Sequence, residues 1–383
     1  MALFKKLLLV CCLLFSWQAS AAEIDFSGFA TIAGGLTLDE DEALAGYDDK
    51  FSFDNGSLIA LQASSDLGNG WGVTAQLLAR GSEQWDMNAE WAYVSYDASD
   101  NWRLLFGRQR APFYMYSDFL DVSYAYHWIE PPSGVYSLPF DVFDGVGSIY
   151  SSSMGEFDST IQLAYGRNRD GAVLVGEERD TDFSEFLSAS WTLNRDWLTL
   201  RASYARAELV IPFDEFQPLL DGWRGTVTFA GIADDLELSD DSGNFSSFGF
   251  IVDRESFLLI GEVTKVDPGD NFFPDQDSYY VTLGKRFGDV LLHVTYGEDE
   301  DVSDYTIFAN VPAGVDPGLD FLLAQSQGVL ASVEEDSSFY TIGLRWEVSS
   351  SVAAKFEFTK FEDEQPLLAA EASLFQFALT TVF

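Results

Sequence analysis

The side chains able to do chemistry in this chain are charges spread over alternating segments, not a nucleophile beside its base. His127 and His293 are the two histidines. A serine hydrolase needs Ser, His and an orienting acid or amide together on one face, and no nucleophile motif accompanies either histidine. There is no Gly-rich phosphate loop and no His pair at metal spacing. The acidic run Glu298–Asp301 lacks the spaced ligands and turn glycine of a calcium loop. The expectation is of no enzyme, no catalytic residue, no metal and no cofactor. What remains are basic residues, Arg80, Arg103, Arg108, Arg201, Arg286, Arg345 and Lys355, and a loop with the acids Asp118, Asp121 and Glu130. Their chemistry would be electrostatic.

The segments that position the bases have period two. Ile24, Phe26, Gly28, Ala30 and Ile32 alternate with Asp25, Ser27, Phe29 and Thr31, and the same period runs through Leu198 to Tyr204, Val290 to Tyr296 and Phe375 to Phe383. This alternation predicts strands with two chemically different faces. The charges share the polar face: Arg201 with Thr199 and Ser203, Arg286 with Thr282, Arg345 with Thr341, Lys355 with Glu357 and Thr359, and Glu262 with Thr264. A charge facing lipid at mid-membrane would cost about 2–4 kcal/mol, so the polar face is assigned to an interior. Arg80 and Arg108 lie near strand ends, where a rim anchor is the alternative.

Short turns at 66–70, 97–101, 152–156, 194–196, 253–255, 288–289 and 347–351 alternate with long loops. The loops run over 37–49, 81–88, 110–144, 169–182, 209–243, 267–276, 298–336 and 363–371. Seven turns and eight loops join sixteen strands, and an even count puts both termini on one side. The expected fold is all-β, a transmembrane antiparallel up-and-down barrel, because a sheet in lipid must close to pair its edges. Trp71, Trp91, Trp102, Trp191, Trp197, Tyr279 and Trp346 sit near strand ends, as interfacial girdles require. Sixteen strands enclose room for water, whereas about eight would be filled by side chains.

Composition and the first residues agree. Lys5 and Lys6, the apolar segment Leu7–Trp17 and small residues at 19–22 form a secretory signal over 1–22. The remainder, 23–383, reads as one barrel domain with 19 basic against 62 acidic residues and no cysteine. That charge excludes nucleic acid as a partner, while 47% hydrophobic and 15% aromatic content excludes a disordered chain. The loops at 209–243 and 298–336 are the acidic, low-order candidates, with divalent-bridged lipopolysaccharide as a possible contact.

The loop at 110–144 differs from the others in its aromatics, among them Phe113, Tyr114, Tyr116, Tyr126, Trp128 and Phe140. An apolar loop should pack against something, and folding into the lumen would satisfy it; an outside cap or subunit contact is the alternative. Its acids facing wall arginines would create a transverse field in a narrow passage.

The segments Glu23–Ala30, Phe106–Phe113, Gly147–Phe157 and the final strand ending in Phe383, with the long loop after strand five, resemble the general trimeric porins of Gram-negative bacteria. The resemblance implies an outer-membrane homotrimer that passes small hydrophilic solutes and ions. It makes Phe383 the signal read by the barrel-assembly machinery and brings Arg108 to the constriction, which by parity needs a bulge. The chain departs from that family at the loop tip, where Pro131–Pro132–Ser133–Gly134 replaces Pro-Glu-Phe-Gly-Gly, and this leaves open which acids face the opening. The excess of acid predicts mild cation selectivity. A channel specific for a sugar, phosphate or carboxylate is the alternative, and a receptor or adhesin a third reading.

Overall fold

The computed structural model describes residues 23–174, 177–365 and 370–383; the secretory segment expected over 1–22 lies outside them. The strands are β1 (Ile24–Thr37), β2 (Leu58–Gly68), β3 (Trp71–Arg80), β4 (Met87–Ser99), β5 (Trp102–Arg110), β6 (Val142–Met154), β7 (Phe157–Asn168), β8 (Ala172–Leu174) and β9 (Glu177–Arg179). They continue as β10 (Asp182–Arg195), β11 (Leu198–Val210), β12 (Ser239–Arg254), β13 (Phe257–Asp267), β14 (Asp275–Phe287), β15 (Val290–Val302), β16 (Glu335–Ser349), β17 (Val352–Asp363) and β18 (Ala370–Val382). Among the described residues β8 and β9 pair with each other alone, and the other sixteen strands close into one antiparallel barrel. Every wall strand is thus hydrogen-bonded on both sides, the condition lipid imposes.

Closure is made by β1 and β18, in register from Phe29↔Val382 to Thr37↔Leu374. Gly28 and Phe383 add two backbone hydrogen bonds of 2.8 and 2.9 Å. A side chain at position 28 would begin 2.5 Å from the Phe383 ring, so the C-terminal aromatic seats only against glycine.

The two faces separate as the alternation predicts. On β15, Leu292, Val294 and Tyr296 are 45%, 50% and 42% exposed on the outside, while His293 and Thr295 are 2% and 0% exposed inside. Trp71, Trp102, Phe257, Phe287 and Trp346 ring the short-turn end, and Tyr279, Tyr296 and Tyr340 the other, all outward and exposed. Trp91 departs from the expected girdle: it faces inward beside Tyr93 and Leu105.

The long loops are more ordered than their acidity suggests. Helix α1 (Gln217–Arg224) lies in the loop after β11 and helix α2 (Pro317–Ala331) in the loop after β15. Asp316 caps α2 by accepting from Gly318 N at 2.7 Å. The helices meet where the buried Trp223 donates to Ser326 Oγ at 2.8 Å and stacks on Phe308. Aromatic burial outweighs charge here. Two boundaries also move. Glu298–Asp301 belong to the β15 ladder, paired with both β14 and β16, and the first loop extends to residue 57.

Candidate functional site

The loop between β5 and β6 (111–141) folds into the barrel and does not cap it. Its contacts prove this, because they reach inward residues around most of the wall. Phe113 O accepts from Ser203 on β11 and from Ser247 on β12, the latter at 3.1 Å. Met115 N donates to Glu262 Oε1 on β13 at 2.8 Å. Trp128 Nε1 donates to Thr295 on β15 at 2.8 Å, and Ile129 N to Glu357 on β17 at 3.0 Å. The aromatics supply the driving force: Tyr116 packs edge to face with Tyr126 and Trp128, and Trp128 with the wall residue Tyr280.

Opposite this packed side, the loop meets a cluster of charge. Arg80, at the end of β3, donates to Glu90 Oε1 at 2.8 Å and Asp121 Oδ1 at 2.9 Å, with Glu83 at 3.4 Å. Arg110, at the end of β5, pairs with Asp141 at 2.5 Å, with Asp121, and with Glu90 at 3.4 Å. Oxygens of Glu90, Asp121 and Asp141 lie within 4.8 Å of one another, a spacing that could hold a cation; Arg80 and Arg110 supply that charge here. Four carboxylates thus surround two guanidiniums. Asp121 itself is pushed up by burial but pulled down further by Arg110 and Arg80, ending below the ordinary aspartate range, so it stays ionised.

Glu90 reaches the cluster through a bulge. Gln76 pairs with Trp91 and Leu77 with Ala89, leaving Glu90 as the extra residue on β4. It is buried, beside the inward Trp91. Neither Glu90 nor Arg110 is among the residues that the alternation points to. Arg110 has the outward parity of Arg108, and only the end of the β5 ladder, where Ala111 N donates to Asp141 O at 2.7 Å, frees it to turn inward.

The other expected residues are distributed around this cluster. Asp118 joins Arg201 at 3.1 Å and Gln162 at 3.1 Å on the neighbouring wall. Glu130 is exposed, beside Gly56 of the first loop. Lys355, 0% exposed, donates to Ser123 Oγ at 2.9 Å and to the carbonyls of Ser123 and Trp128. Arg345 donates to Tyr124 O at 2.7 Å and to Tyr126 O. Both bases lie beneath the loop and hold its backbone, which removes them from the passage surface. Arg286 pairs with Asp253 at 2.5 Å and Arg103 with Asp97 at 2.6 Å, both beside short turns. Arg108 is placed apart from the cluster. No register shift falls between Phe106 and Arg108 in either of its ladders, so it keeps the outward parity of Phe106 and pairs with Asp144 at 3.1 Å and Asp170 at 2.8 Å.

Solved structures share this architecture. The outer membrane channel DcaP of Acinetobacter baumannii superposes with a TM-score of 0.60 at 12% identity, covering 96% of this chain and 99% of that one. The anion-selective porin from Comamonas acidovorans gives 0.57 at 12%, covering 94% and 100%. The trimer form of OmpT, an outer membrane protein of Vibrio cholerae, gives 0.53 at 10%, covering 95% and 100%. At such identities the likeness is one of fold. No curated protein matches by sequence. The sequence profile of Gram-negative porins, however, matches residues 8–366, and together with the closed barrel and its inward loop this places the chain in the Gram-negative porin family, in the outer membrane.

Proposed function

We propose that this porin passes small hydrophilic solutes and ions by passive diffusion, with a mild preference for cations, through the water beside the folded loop. The observation that carries the reading is the charge ratio at the loop–wall contact: Glu83, Glu90, Asp121 and Asp141 around Arg80 and Arg110. In a narrow passage with low-dielectric walls the net negative charge raises the local concentration of cations. Reversal potentials across planar bilayers in a salt gradient test it. The expected sign is that of cation selectivity, weakening as salt screens the cluster; an anion-selective potential would refute it. A substrate-specific channel is the second reading, favoured by the aromatics of the loop, and block of the ion current by millimolar sugar, phosphate or dicarboxylate would establish it.

The reading extends to assembly. A homotrimer is proposed by likeness to the trimeric Vibrio cholerae structure, with contacts to lipid and lipopolysaccharide. Phe383 is proposed as the residue read by the barrel-assembly machinery, and it also closes the β1–β18 seam. Deleting it should sharply lower the yield of heat-modifiable barrel in membranes while leaving the conductance of each assembled pore unchanged. A normal yield would remove Phe383 from that role.

A further inference from the structure

We propose that the lumen contains a binding site for a small organic ammonium with an apolar body, in a cavity between the outer limb of the folded loop and the β10–β13 wall. The cavity measures about 390 Å³, within the roughly 300–1,000 Å³ typical of small-molecule sites. Phe113, Phe140, Phe183, Phe186, Phe245 and Phe273 line it. Their rings hold one another: Phe113 is 5.6 Å from Phe186 and 5.3 Å from Phe245, and Phe140 is stacked 4.4 Å from Phe183. The hollow is therefore bounded by fixed aromatic faces. Where it meets β11 the inward residues are the small Ala205 and Ala207.

The wall is bent to make this lining. On β10 the ladder to β11 shifts between Ser184 and Leu187 and the ladder to β7 between Phe183 and Phe186, and Glu185 adopts φ +47°, the left-handed region. The bulge turns Phe183 and Phe186 both inward, where strict alternation would send one of them to lipid. A non-glycine residue in this conformation costs energy, and here the distortion contributes two faces of an aromatic enclosure.

The polar end selects the ligand's head group. Asp301, at the upper end of β15, lines the cavity, and its Oδ1 is buried with no hydrogen-bond partner among the described residues. A buried acceptor left bare is costly. Of the nearby polar groups, Gln276 on the paired strand reaches the Asp301 carboxyl while its Oε1 accepts from Ser137 at 2.6 Å, and Arg206 donates to Ser242 at 2.8 Å, so Oδ1 is left to the ligand. An ammonium N–H supplies the missing donor, and the phenyl faces attract the same cation. A carboxylate ligand would add one more acid beside Asp301, Asp299 and Glu335, and a hydrocarbon would leave Oδ1 unpaired. The site stands on binding alone and does not depend on what the pore conducts.

The test uses the full barrel in lipid nanodiscs, titrated with 2-(1-naphthyl)ethylamine and followed by fluorescence anisotropy, with empty nanodiscs subtracted. Saturable binding of the amine, stronger than that of naphthylethanol or naphthylacetate, is expected. Asp301→Asn should weaken the amine about tenfold, the loss of one charge-assisted hydrogen bond, and leave the alcohol unchanged. Ala207→Trp should fill the cavity and abolish binding of both. Absence of saturable binding, equal binding of amine and acid, or an Asp301→Asn barrel that binds the amine as the native one does would each overturn the proposal. The near-isosteric Asp301→Asn keeps the test decisive even where Ala207→Trp does not assemble.

Discussion

Replacing Arg110 by methionine is expected to unsettle the loop at its charged end and to raise cation selectivity. Arg110 is almost fully buried and, among the described residues, is the one that touches Asp121, Asp141 and Glu90 together. Methionine keeps much of its length and none of its charge. Three carboxylates with oxygens within 4.8 Å would then face Arg80, which reaches Glu90 and Asp121 but is not bonded to Asp141. Removing one partner of a buried ion pair costs about 3–5 kcal/mol, because the remaining charge is left uncompensated. Glu90 is fixed in a strand, so relief comes from the loop segment that carries Asp121. That segment should draw back from the β3–β5 wall, giving larger and noisier single-channel currents, and the reversal potential should shift further toward cations. Adding Glu90→Gln restores the balance of the cluster and should return the selectivity toward the native value. Unchanged currents and selectivity in the single variant would show that these charges do not border the conducting path.

The parts of this molecule visible in the sequence are those written with a local period. The alternation Leu198–Tyr204 or Val290–Tyr296 states directly which residues face lipid, and the alternation of short and long connections states the strand number. The inward parity of Arg201, Glu262, Arg345 and Lys355 follows from the same period. A bulge has no such signature. One extra residue at Glu90 or Glu185 leaves the alternating composition almost unchanged, yet it reverses parity from that point, and each of these two shifts turns a further side chain inward. Trp91, expected at an interface and found inside, was misplaced by the first of them.

Partnership was hidden for a different reason. Lys355 and Ser123 are 232 positions apart, and Met115 and Glu262 are 147 apart. Only the loop's aromatic content hinted that it would fold inward, without saying which wall residues would receive it. An inward base can either line water or hold the loop's backbone, and parity does not distinguish these. Depth does: Arg80 and Arg110 stand where their strands end and meet acids of the loop, whereas Lys355 and Arg345 stand beneath the loop and donate to its carbonyls, Arg345 also pairing with Glu347 of its own strand.

Replacing Glu262 by leucine is expected to release the opposite side of the loop. Its carboxyl accepts from Met115 N at 2.8 Å, Tyr136 OH at 2.8 Å and Tyr280 OH at 3.3 Å. Met115 lies on the descending limb of the loop, Tyr136 on the returning limb and Tyr280 on the wall, so one side chain joins all three. Leucine matches its bulk but accepts nothing, and each buried donor left bare costs about 1–3 kcal/mol. The barrel ladder around position 262 is unaffected, since Glu262 pairs through its backbone with Gly249 and Tyr280. The loss therefore falls on the loop and not on closure of the sheet. Chymotrypsin added to assembled barrels should cut the variant at Tyr114, Tyr116 or Phe119 while the native loop resists. Glu262→Gln, which keeps one acceptor oxygen, should fall between them. Equal resistance of the leucine variant would mean that aromatic packing against Tyr280 and Phe245 holds the limbs without the carboxyl.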